Sequence, residues 1–374
     1  MNLSDLPKEI ISNFKINRFP KTNNRSLLAW SKADEFMVWL LKSNDLLDKS
    51  ISIYNDSFGY LSCHLLSDKT EIKIDSKSQE KAITQNLEAN GLEFNANQFV
   101  SLQANPSKET CAIAEVVVLR IPKSLDLFEQ YLSQISSNVT KDSVVICSFM
   151  TKYFTKGMIE LAGKYFEIVE QTKAWKKSRL IVLSKPKTIE VKPLLNEINS
   201  DFGIFKQYFG VFSAKNIDYA TQFLIQNIEL PEETNCVLDL ASGNGVLAKQ
   251  VQSIKPNVEI HLVDDSFLAV ESSKLNISGD NVHFHFNDEL SEFGYGFFDY
   301  IISNPPFHIG HEIDISLPLS LFKQAGKSLK PNGAFQLVFN NHLNYATQLT
   351  KFFKEVKETA KNDKFTVLTC RKPV

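Results

Sequence analysis

The sequence predicts an α/β protein of two tandem domains, each built on a mainly parallel sheet with helices on both faces. Short apolar runs typical of buried strands alternate with stretches of helical periodicity along the chain, which is the pattern of a parallel sheet. A series of strand-acid-turn, strand-acid and strand-proline also occurs twice in the same order, which predicts an internal duplication. The series lies at Asp56, Asp75 and Pro122 in the first half and at Asp239, Asp264 and Pro305 in the second.

Length and composition agree with two globular domains. The chain has 374 residues, of which 43% are hydrophobic and 22% are charged, and it is long enough to bury two cores. Weak periodicity over residues 186–200 predicts a linker there. We therefore expect one domain over residues 1–185 and another over 201–374.

Composition also excludes several classes of protein. No apolar run is long enough to cross a membrane, and the first residues lack the pattern of a secretory signal, so we expect a cytoplasmic protein. The five cysteines are scattered without Cys-x-x-Cys or Cys/His pairing, so neither a disulfide framework nor a metal site is expected. The net charge of −2 gives no whole-protein attraction to phosphates, so any nucleic acid must be held by a local patch.

The first half contains the elements of one copy. Apolar residues at helical spacing predict helices over about 29–41, 79–90 and 125–132, and a further helix begins at Leu61. Apolar runs predict a strand that turns within 52–59 and strands over 71–74, 116–119 and 144–147.

A basic run lies near the end of the first half. Residues 173–179 hold Lys176, Lys177 and Arg179 around the aromatic Trp175. Such a run can hold a phosphate backbone and stack a base, which predicts RNA binding by these four residues. A solvated face at the end of a domain explains the same run, and the sequence leaves both interpretations open.

The second half opens with the strand Cys236–Leu240 and a glycine-containing loop that leads into a helix over about 246–254. Gly243 and Gly245 allow the backbone to pass close to a ligand at the carboxyl edge of the sheet, where doubly wound folds bind nucleotides. Asp264 ends the next strand, 19 residues after Gly245, where an acid can accept from both hydroxyls of a ribose. Asp288 follows a third strand over 282–286 and can accept from an adenine amino group. Each acid could instead be a cap or turn residue.

The stretch Ser303-Asn304-Pro305-Pro306-Phe307-His308 follows a fourth strand over 298–302. The two prolines stiffen the chain and leave carbonyls without ladder partners. The Asn304 side-chain oxygen and the Pro305 carbonyl can together accept both hydrogens of an exocyclic NH₂ group, and Phe307 offers a face for the ring. The motif thus predicts an amine-presenting pocket, with a proline-rich turn as the alternative.

The corresponding region of the first half lacks these features. Its glycine loop is reduced to Gly59, and its proline motif is reduced to Ile121-Pro122-Lys123. Both the close-approach backbone and the amine acceptors are therefore missing. We expect the first half to be a catalytically inactive copy.

Together these motifs resemble those of class I S-adenosylmethionine-dependent methyltransferases that alkylate exocyclic amines. Residues 55–59 and 174–179, His308, Gly310 and the duplicated half narrow the resemblance further. Nearly end to end, the chain resembles the large-subunit ribosomal RNA guanine-N2 methyltransferases, with the small-subunit enzymes as more distant relatives.

The resemblance implies two tandem Rossmann-like class I methyltransferase domains, of which the degenerate N-terminal one binds RNA and the C-terminal one is catalytic. It implies transfer from S-adenosylmethionine to the N2 amine of one guanine in naked or partly assembled 23S rRNA, without a metal or an obligate protein partner. The expected cofactor-binding residues are Asp239, Ala241, Gly243, Asn244, Gly245, Asp264 and Asp288. The expected catalytic residues are Asn304, Pro305, Pro306 and Phe307, and His308 joins the basic run as an expected RNA contact.

The rest of the second half fits this resemblance. We expect a helix over about 317–329, a strand over 335–339, a helix to about 354 and a last strand over 365–369 that is inserted antiparallel.

Two departures from the family pattern keep other functions open. Ala241 stands where the family usually has glycine, and residues 212–218 lack the expected arginine and glycine, although Asp218 is retained. The alternatives are guanine-N2 methylation of 16S rRNA, adenine-N6 methylation of a nucleic acid, and a non-catalytic RNA-binding ribosome-assembly factor.

Overall fold

The computed structural model describes residues 1–10, 12–22, 24, 26–104, 113–190, 192–305, 316–343 and 345–374. Pro306, Phe307 and His308 lie outside the described residues. The chain divides into an N-terminal unit, Met1–Leu194, and a C-terminal unit, Leu195–Val374. No helix among the described residues combines the length and the apolar composition needed to span a membrane.

The N-terminal unit is built on a seven-stranded sheet with the order β3-β2-β1-β4-β5-β7-β6. Its strands are β1 Ile51–Tyr54, β2 Thr70–Ile74, β3 Phe99–Ser101, β4 Val116–Arg120, β5 Val144–Met150, β6 Phe166–Gln171 and β7 Ser178–Pro186. Its α-helices are α1 Lys32–Ser43, α2 Tyr60–Leu65, α3 Lys77–Ala89, α4 Leu125–Ser137 and α5 Lys156–Tyr165. Strands β1 to β5 pair in parallel, and β7 pairs antiparallel with β5 and β6.

The C-terminal unit adds a hairpin to a second seven-stranded sheet with the order β12-β11-β10-β13-β14-β16-β15. The hairpin consists of β8 Leu195–Ser200 and β9 Gly203–Tyr208. The sheet consists of β10 Cys236–Leu240, β11 Glu259–Asp264, β12 Val282–Phe286, β13 Phe298–Ser303, β14 Leu329–Asn340, β15 Phe353–Lys361 and β16 Phe365–Pro373. The α-helices are α6 Tyr219–Ile225, α7 Val246–Ile254, α8 Phe267–Ser273, α9 Ser316–Ser328 and α10 Tyr345–Leu349.

The two sheets have the same topology, which confirms the predicted α/β fold class with two related domains. In each sheet four crossovers produce five parallel strands, and the last strand of the unit, β7 or β16, is inserted antiparallel between the fifth parallel strand and the strand at the edge. The central strands β1 and β10 are buried along their whole length. This burial on both faces explains why their sequences are continuous apolar runs.

Alternate residues of β10 supply the cores on the two faces of the C-terminal sheet. Leu238 packs into a cluster with Phe322 of α9. Val237 points to the other face, where it packs with Leu224 of α6 and Val251 of α7. The sheet is therefore held between two helical layers, which fixes the carboxyl ends of its strands as a rigid edge.

Three sequence expectations about this fold are wrong. The predicted linker over 186–200 contains β8, because Leu195–Ser200 pairs with Gly203–Tyr208 as a hairpin. The strand expected over 335–339 is longer, because β14 begins at Leu329, and its pairing with β13 is irregular between Phe298 and Tyr300. The helix expected to run to about residue 354 ends at Leu349 and is followed by the strand β15.

The register between the two halves also differs from the one inferred from their acids. Gly59 and Gly245 precede α2 and α7 with φ of 87° and 79°, and Asn55 and Ala241, four residues earlier, both have positive φ near 58° and 59°. Counting from these glycines places Ile53 of β1 at the position of Asp239.

Strand pairing extends this correspondence across the sheet. Tyr54 pairs with Lys73 and Leu119, as Leu240 pairs with Val263 and Ser303. The residues that follow on each strand are therefore equivalent: Ile74 takes the place of Asp264, and Arg120 takes the place of Asn304. Both strand-end acids of the C-terminal unit are replaced by isoleucine in the N-terminal unit.

Candidate functional site

The glycine loop after β10 lies at the carboxyl edge of the C-terminal sheet. Gly243 has a φ of 56°, and a Cβ added there would meet nothing within 4 Å among the described atoms. At Gly245 an added Cβ would lie 3.0 Å from the Ser273 Cβ and 3.2 Å from the Leu262 Cδ2. The two glycines therefore serve different purposes: Gly245 permits close packing of loop, helix and strand, and Gly243 borders open space that a ligand can use.

Asp239 lies at the base of this loop and is completely buried. Its Oδ2 accepts a hydrogen bond from the Ala248 N–H at 2.9 Å, whereas its Oδ1 has no hydrogen-bond partner in the part of the chain that the structure describes. Burial raises the pKa of this carboxyl to about 7. A buried acceptor without a donor is costly, so the arrangement favours a ligand that brings a positively charged donor.

Asp264 shapes the loop from the neighbouring strand. Its Oδ2 accepts from the Gly243 N–H and its Oδ1 from the Ser266 N–H, both at 2.8 Å. Burial raises the pKa of this carboxyl to about 6. Asp264 thus fixes the backbone of Gly243 directly, and each carboxylate oxygen retains a lone pair that can accept from a hydroxyl.

The remaining residues predicted to bind cofactor lie around this edge with different surroundings. Ala241 adopts the left-handed φ that usually favours glycine, so the departure from the family pattern carries a backbone cost. The Asn244 side chain donates to Gln207 Oε1 at 2.8 Å, which ties the loop to the hairpin instead of leaving the amide for a ligand. Asp288 follows β12 at the same edge of the sheet.

Asn304 follows β13 at the centre of the site. Its Nδ2 donates to Asp218 Oδ2 at 3.1 Å and to Thr221 Oγ1 at 2.8 Å. Its buried Oδ1 has no hydrogen-bond partner among the described residues. Turning the amide over would place its oxygen against the Asp218 carboxylate, so the two acceptors fix the orientation in which Oδ1 remains available.

Asp218 is a residue whose role sequence reasoning missed, although its retention in the chain was noted. It caps the N-terminus of α6, where its side chain accepts from the N–H groups of Ala220 and Thr221. The same Oδ2 atom holds Asn304. One carboxylate therefore joins the start of α6 to the end of β13, and an Asp separated from Asn304 by 86 residues gave no local signal in the sequence.

The basic run of the N-terminal unit forms a tight hairpin between β6 and β7. Trp175 and Ser178 exchange backbone hydrogen bonds of 2.9 and 2.8 Å, and Lys176 and Lys177 occupy the turn with φ of 44° and 61°. Trp175 is only 6% exposed and its ring lies 5.7 Å from that of Phe36. The prediction that Trp175 stacks a base is therefore wrong, because the ring is part of the core, whereas Lys176, Lys177 and Arg179 are exposed.

A group of possible metal ligands lies away from this site. Cys236, Glu259 and His261 approach one another within 4.8 Å, at the opposite edge of the C-terminal sheet, although their spacing in the sequence gave no sign of it. His261 already hydrogen-bonds to Glu259 at 3.1 Å and to His285 at 3.0 Å. Burial raises the pKa of the Cys236 thiol to about 12.

Two family models cover most of the chain. Residues 8–188 match the RLMG N-terminal domain, and residues 203–369 match the methyltransferase small domain. The T. thermophilus 16S rRNA N2 methyltransferase, solved in complex with AdoMet and guanosine, is 20% identical with a TM-score of 0.69, covering 86% of this chain and 88% of that one. At this identity the likeness establishes a shared fold.

Two relatives that match nearly the whole chain carry the same name. The ribosomal RNA large subunit methyltransferase G of Shewanella loihica is 29% identical, over 94% of this chain and 91% of that protein. The protein of the same name from Shewanella amazonensis is 30% identical, over 98% of this chain and 97% of that protein. The chain therefore belongs to the ribosomal RNA large subunit methyltransferase G family, as the sequence motifs led us to expect.

Proposed function

We propose that this chain methylates the exocyclic N2 amine of one guanine in 23S ribosomal RNA, with S-adenosylmethionine as the methyl donor. The observation that carries the proposal is the buried Oδ1 of Asn304, which has no hydrogen-bond partner among the described residues while Asp218 and Thr221 hold the amide in place. An acceptor fixed in this way suits a planar amino group. The names of the relatives support the same reaction class.

The residues of the glycine loop fit the proposed cofactor. Gly243 provides open space for close approach. Asp239 has a carboxylate oxygen without a partner in the described parts of the chain, which can accept from a positively charged donor such as the methionine ammonium. Asp264, which holds the Gly243 N–H, retains lone pairs for ribose hydroxyls. When bound, S-adenosylmethionine supplies an electrophilic methyl group on a sulfonium.

Asn304 and Pro305 activate the amine by hydrogen bonding. The lone pair of an exocyclic amine is delocalised into the ring, which makes it a poor nucleophile. Acceptance of its two N–H groups by Asn304 Oδ1 and the Pro305 carbonyl would hold the nitrogen with its lone pair directed away from these acceptors. Catalysis then comes mainly from alignment, and the surplus proton leaves after transfer.

The position of the amine limits the form of the RNA. The N2 group lies on the Watson–Crick edge of guanine, so the base must be unpaired or flipped to reach Asn304. Naked or partly assembled 23S rRNA, met in the cytoplasm, is therefore the proposed substrate. Lys176, Lys177 and Arg179 of the N-terminal unit supply exposed cations for its phosphates.

The test is methyl transfer in solution from S-adenosylmethionine to protein-free large-subunit rRNA, followed by mass spectrometry of the nucleosides. The wild-type chain should produce N2-methylguanosine, and Asn304→Ala should produce none while calorimetry still detects cofactor binding. Formation of N6-methyladenosine would replace this proposal by the adenine alternative. Absence of cofactor binding at millimolar concentration would favour a non-catalytic assembly factor.

A further inference from the structure

The N-terminal unit contains a cavity of about 400 Å³ at the carboxyl ends of β1, β4 and β5. Cavities of about 300–1,000 Å³ are the size that binds small molecules or single nucleotides. In the shared topology, this is the position at which the C-terminal unit places Asn304. The inactive copy has therefore kept a cavity where it has lost the residues for methyl transfer.

The polar groups of this cavity differ in kind from those of the C-terminal site. Arg120 occupies the position of Asn304, its side chain is 32% exposed, and its Nε lies 3.7 Å from the buried Asp34 Oδ1. Ser148 is completely buried, lines the cavity, and its Oγ has no hydrogen-bond partner within the described parts of the chain. Lys123 lies exposed at the rim. An acceptor for an amine has been replaced by donors for a ligand that carries oxygen or nitrogen acceptors.

Part of the cavity wall is apolar and is formed by Ile121, Pro122, Leu127, Phe149, Met150 and Met158. Small and polar residues, Ser31, Ala33, Asn55, Ser57 and Ser124, line the rest. Tyr153 completes the wall and carries the Lys152 ammonium 4.7 Å above its ring. Apolar and aromatic walls with a few fixed donors suit a planar base better than an isolated anion.

The exposed basic hairpin is hydrogen-bonded to the backbone next to the cavity wall. The Lys177 carbonyl accepts from the Thr151 N–H at 2.8 Å, and Thr151 follows Met150 of the cavity wall. This hydrogen bond holds the turn of Lys176 and Lys177 beside the end of β5, whose last residue, Met150, lines the cavity. A nucleic-acid strand that crosses the hairpin can place a base in the cavity with its backbone on these lysines.

We propose that this cavity holds one unpaired nucleotide of the RNA substrate, with the base between the apolar walls and its acceptor edge on Arg120 and Ser148, and with a neighbouring phosphate on Lys123. This inference rests on the proposed function, because it takes the RNA substrate as the source of the bound nucleotide. A second captured nucleotide, separate from the methylated guanine, would fix the register of the RNA. The N-terminal unit then helps to select the guanine that is methylated, through this cavity as well as through its surface charge.

The experiment compares full-length variants in filter binding to protein-free large-subunit rRNA and in methyl transfer. Met150→Trp fills the cavity without removing a charge, and Lys123→Gln removes the rim cation. Lys141→Gln is the matched control, since Lys141 is exposed at the opposite end of β5. Met150→Trp should raise the RNA Kd and the KM for RNA about fivefold or more, the effect of losing one stacked base, with kcat at saturating RNA unchanged.

Lys123→Gln should weaken binding and reduce the salt dependence by about one phosphate contact, whereas Lys141→Gln should do neither. Arg120→Lys keeps the charge beside Asp34 but loses the planar fork, so it should also raise KM while thermal unfolding stays cooperative. Values of Kd and KM within about twofold of wild type for both Met150→Trp and Arg120→Lys would overturn the proposal. A twofold change is smaller than the loss of affinity expected when one stacked base is lost. If the wild type binds rRNA but transfers no methyl group, the proposed function fails. The Kd values of the variants then still decide whether the cavity binds a nucleotide of the RNA.

Discussion

Asp218 offers the sharpest single change, because its carboxylate both caps α6 and orients Asn304. Asp218→Asn preserves the cap, since asparagine and aspartate are equally good at this position. It replaces a charge-assisted hydrogen bond to Asn304, at 3.1 Å, by a neutral one. Hydrogen bonds to charged groups contribute roughly 1.5–3 kcal/mol and neutral ones roughly 0.5–1.5 kcal/mol, so the orientation of Asn304 loses about 1–1.5 kcal/mol.

This loss corresponds to a decrease in kcat of about fivefold to tenfold, because about 1.4 kcal/mol is one factor of ten in rate. The assay is steady-state methyl transfer at saturating RNA, with calorimetry for cofactor affinity and thermal unfolding for stability. We expect cofactor affinity and Tm to stay near wild type. Asp218→Ala removes the cap as well and should lower the free energy of unfolding by about 1 kcal/mol. A wild-type kcat in Asp218→Asn would refute the assigned orientation of Asn304, as would a loss of cofactor binding in that variant.

Three further predictions concern the glycine loop and its acids. Burial raises the pKa of Asp239 to about 7, so the stability that its neutral form contributes is complete below the ordinary pKa of 3.8 and is lost as pH rises through 7. Cofactor binding favours the ionised carboxylate and should therefore release a proton near pH 7 and become tighter from pH 6 to pH 8. Calorimetry in two buffers of different ionisation enthalpy measures both effects. Asp239→Asn should abolish that proton release and weaken cofactor binding by roughly tenfold or more, the loss of a charged hydrogen bond. Both Gly243→Ala and Gly245→Ala place alanine at a left-handed φ, which costs about 1 kcal/mol. Gly245→Ala should lower the free energy of unfolding by about 1–3 kcal/mol more through overpacking, whereas Gly243→Ala should in addition weaken cofactor binding; equal effects of the two on Tm would contradict the distinction. Ala241→Gly should raise the free energy of unfolding by up to about 1 kcal/mol, because it relieves a left-handed φ, and an unfolding midpoint below wild type would count against strain there.

The sequence was sufficient where apolar runs are bounded by polar turns. The bounds of β10, β12 and α7 match the predicted ones, because each has a buried face and an abrupt change in composition at its ends. Strand β15 was missed because its alternation is mostly charged and exposed, as expected of an edge strand. Strand β8 was taken for part of a linker because its side chains are mostly exposed and show weak periodicity.

The sequence identified most residues of the candidate site but did not predict the contacts between them. The motifs identify Asp239, Asp264 and Asn304 as strand-end residues, and the structure places each at the carboxyl edge of the sheet. Local sequence could not show that Asp218 orients Asn304, since that contact depends on tertiary packing. It also misplaced Trp175, because a basic run with an aromatic residue looks the same whether the ring points to solvent or into the core.

The central claim is that the C-terminal unit transfers a methyl group to a guanine amine of large-subunit rRNA. Mass spectrometry of nucleosides from the 23S rRNA of a strain that lacks the gene tests it most directly. We predict that N2-methylguanosine falls by one residue per RNA, that the wild-type gene restores it, and that Asn304→Ala does not. An unchanged N2-methylguanosine content in the deletion strain would contradict the account.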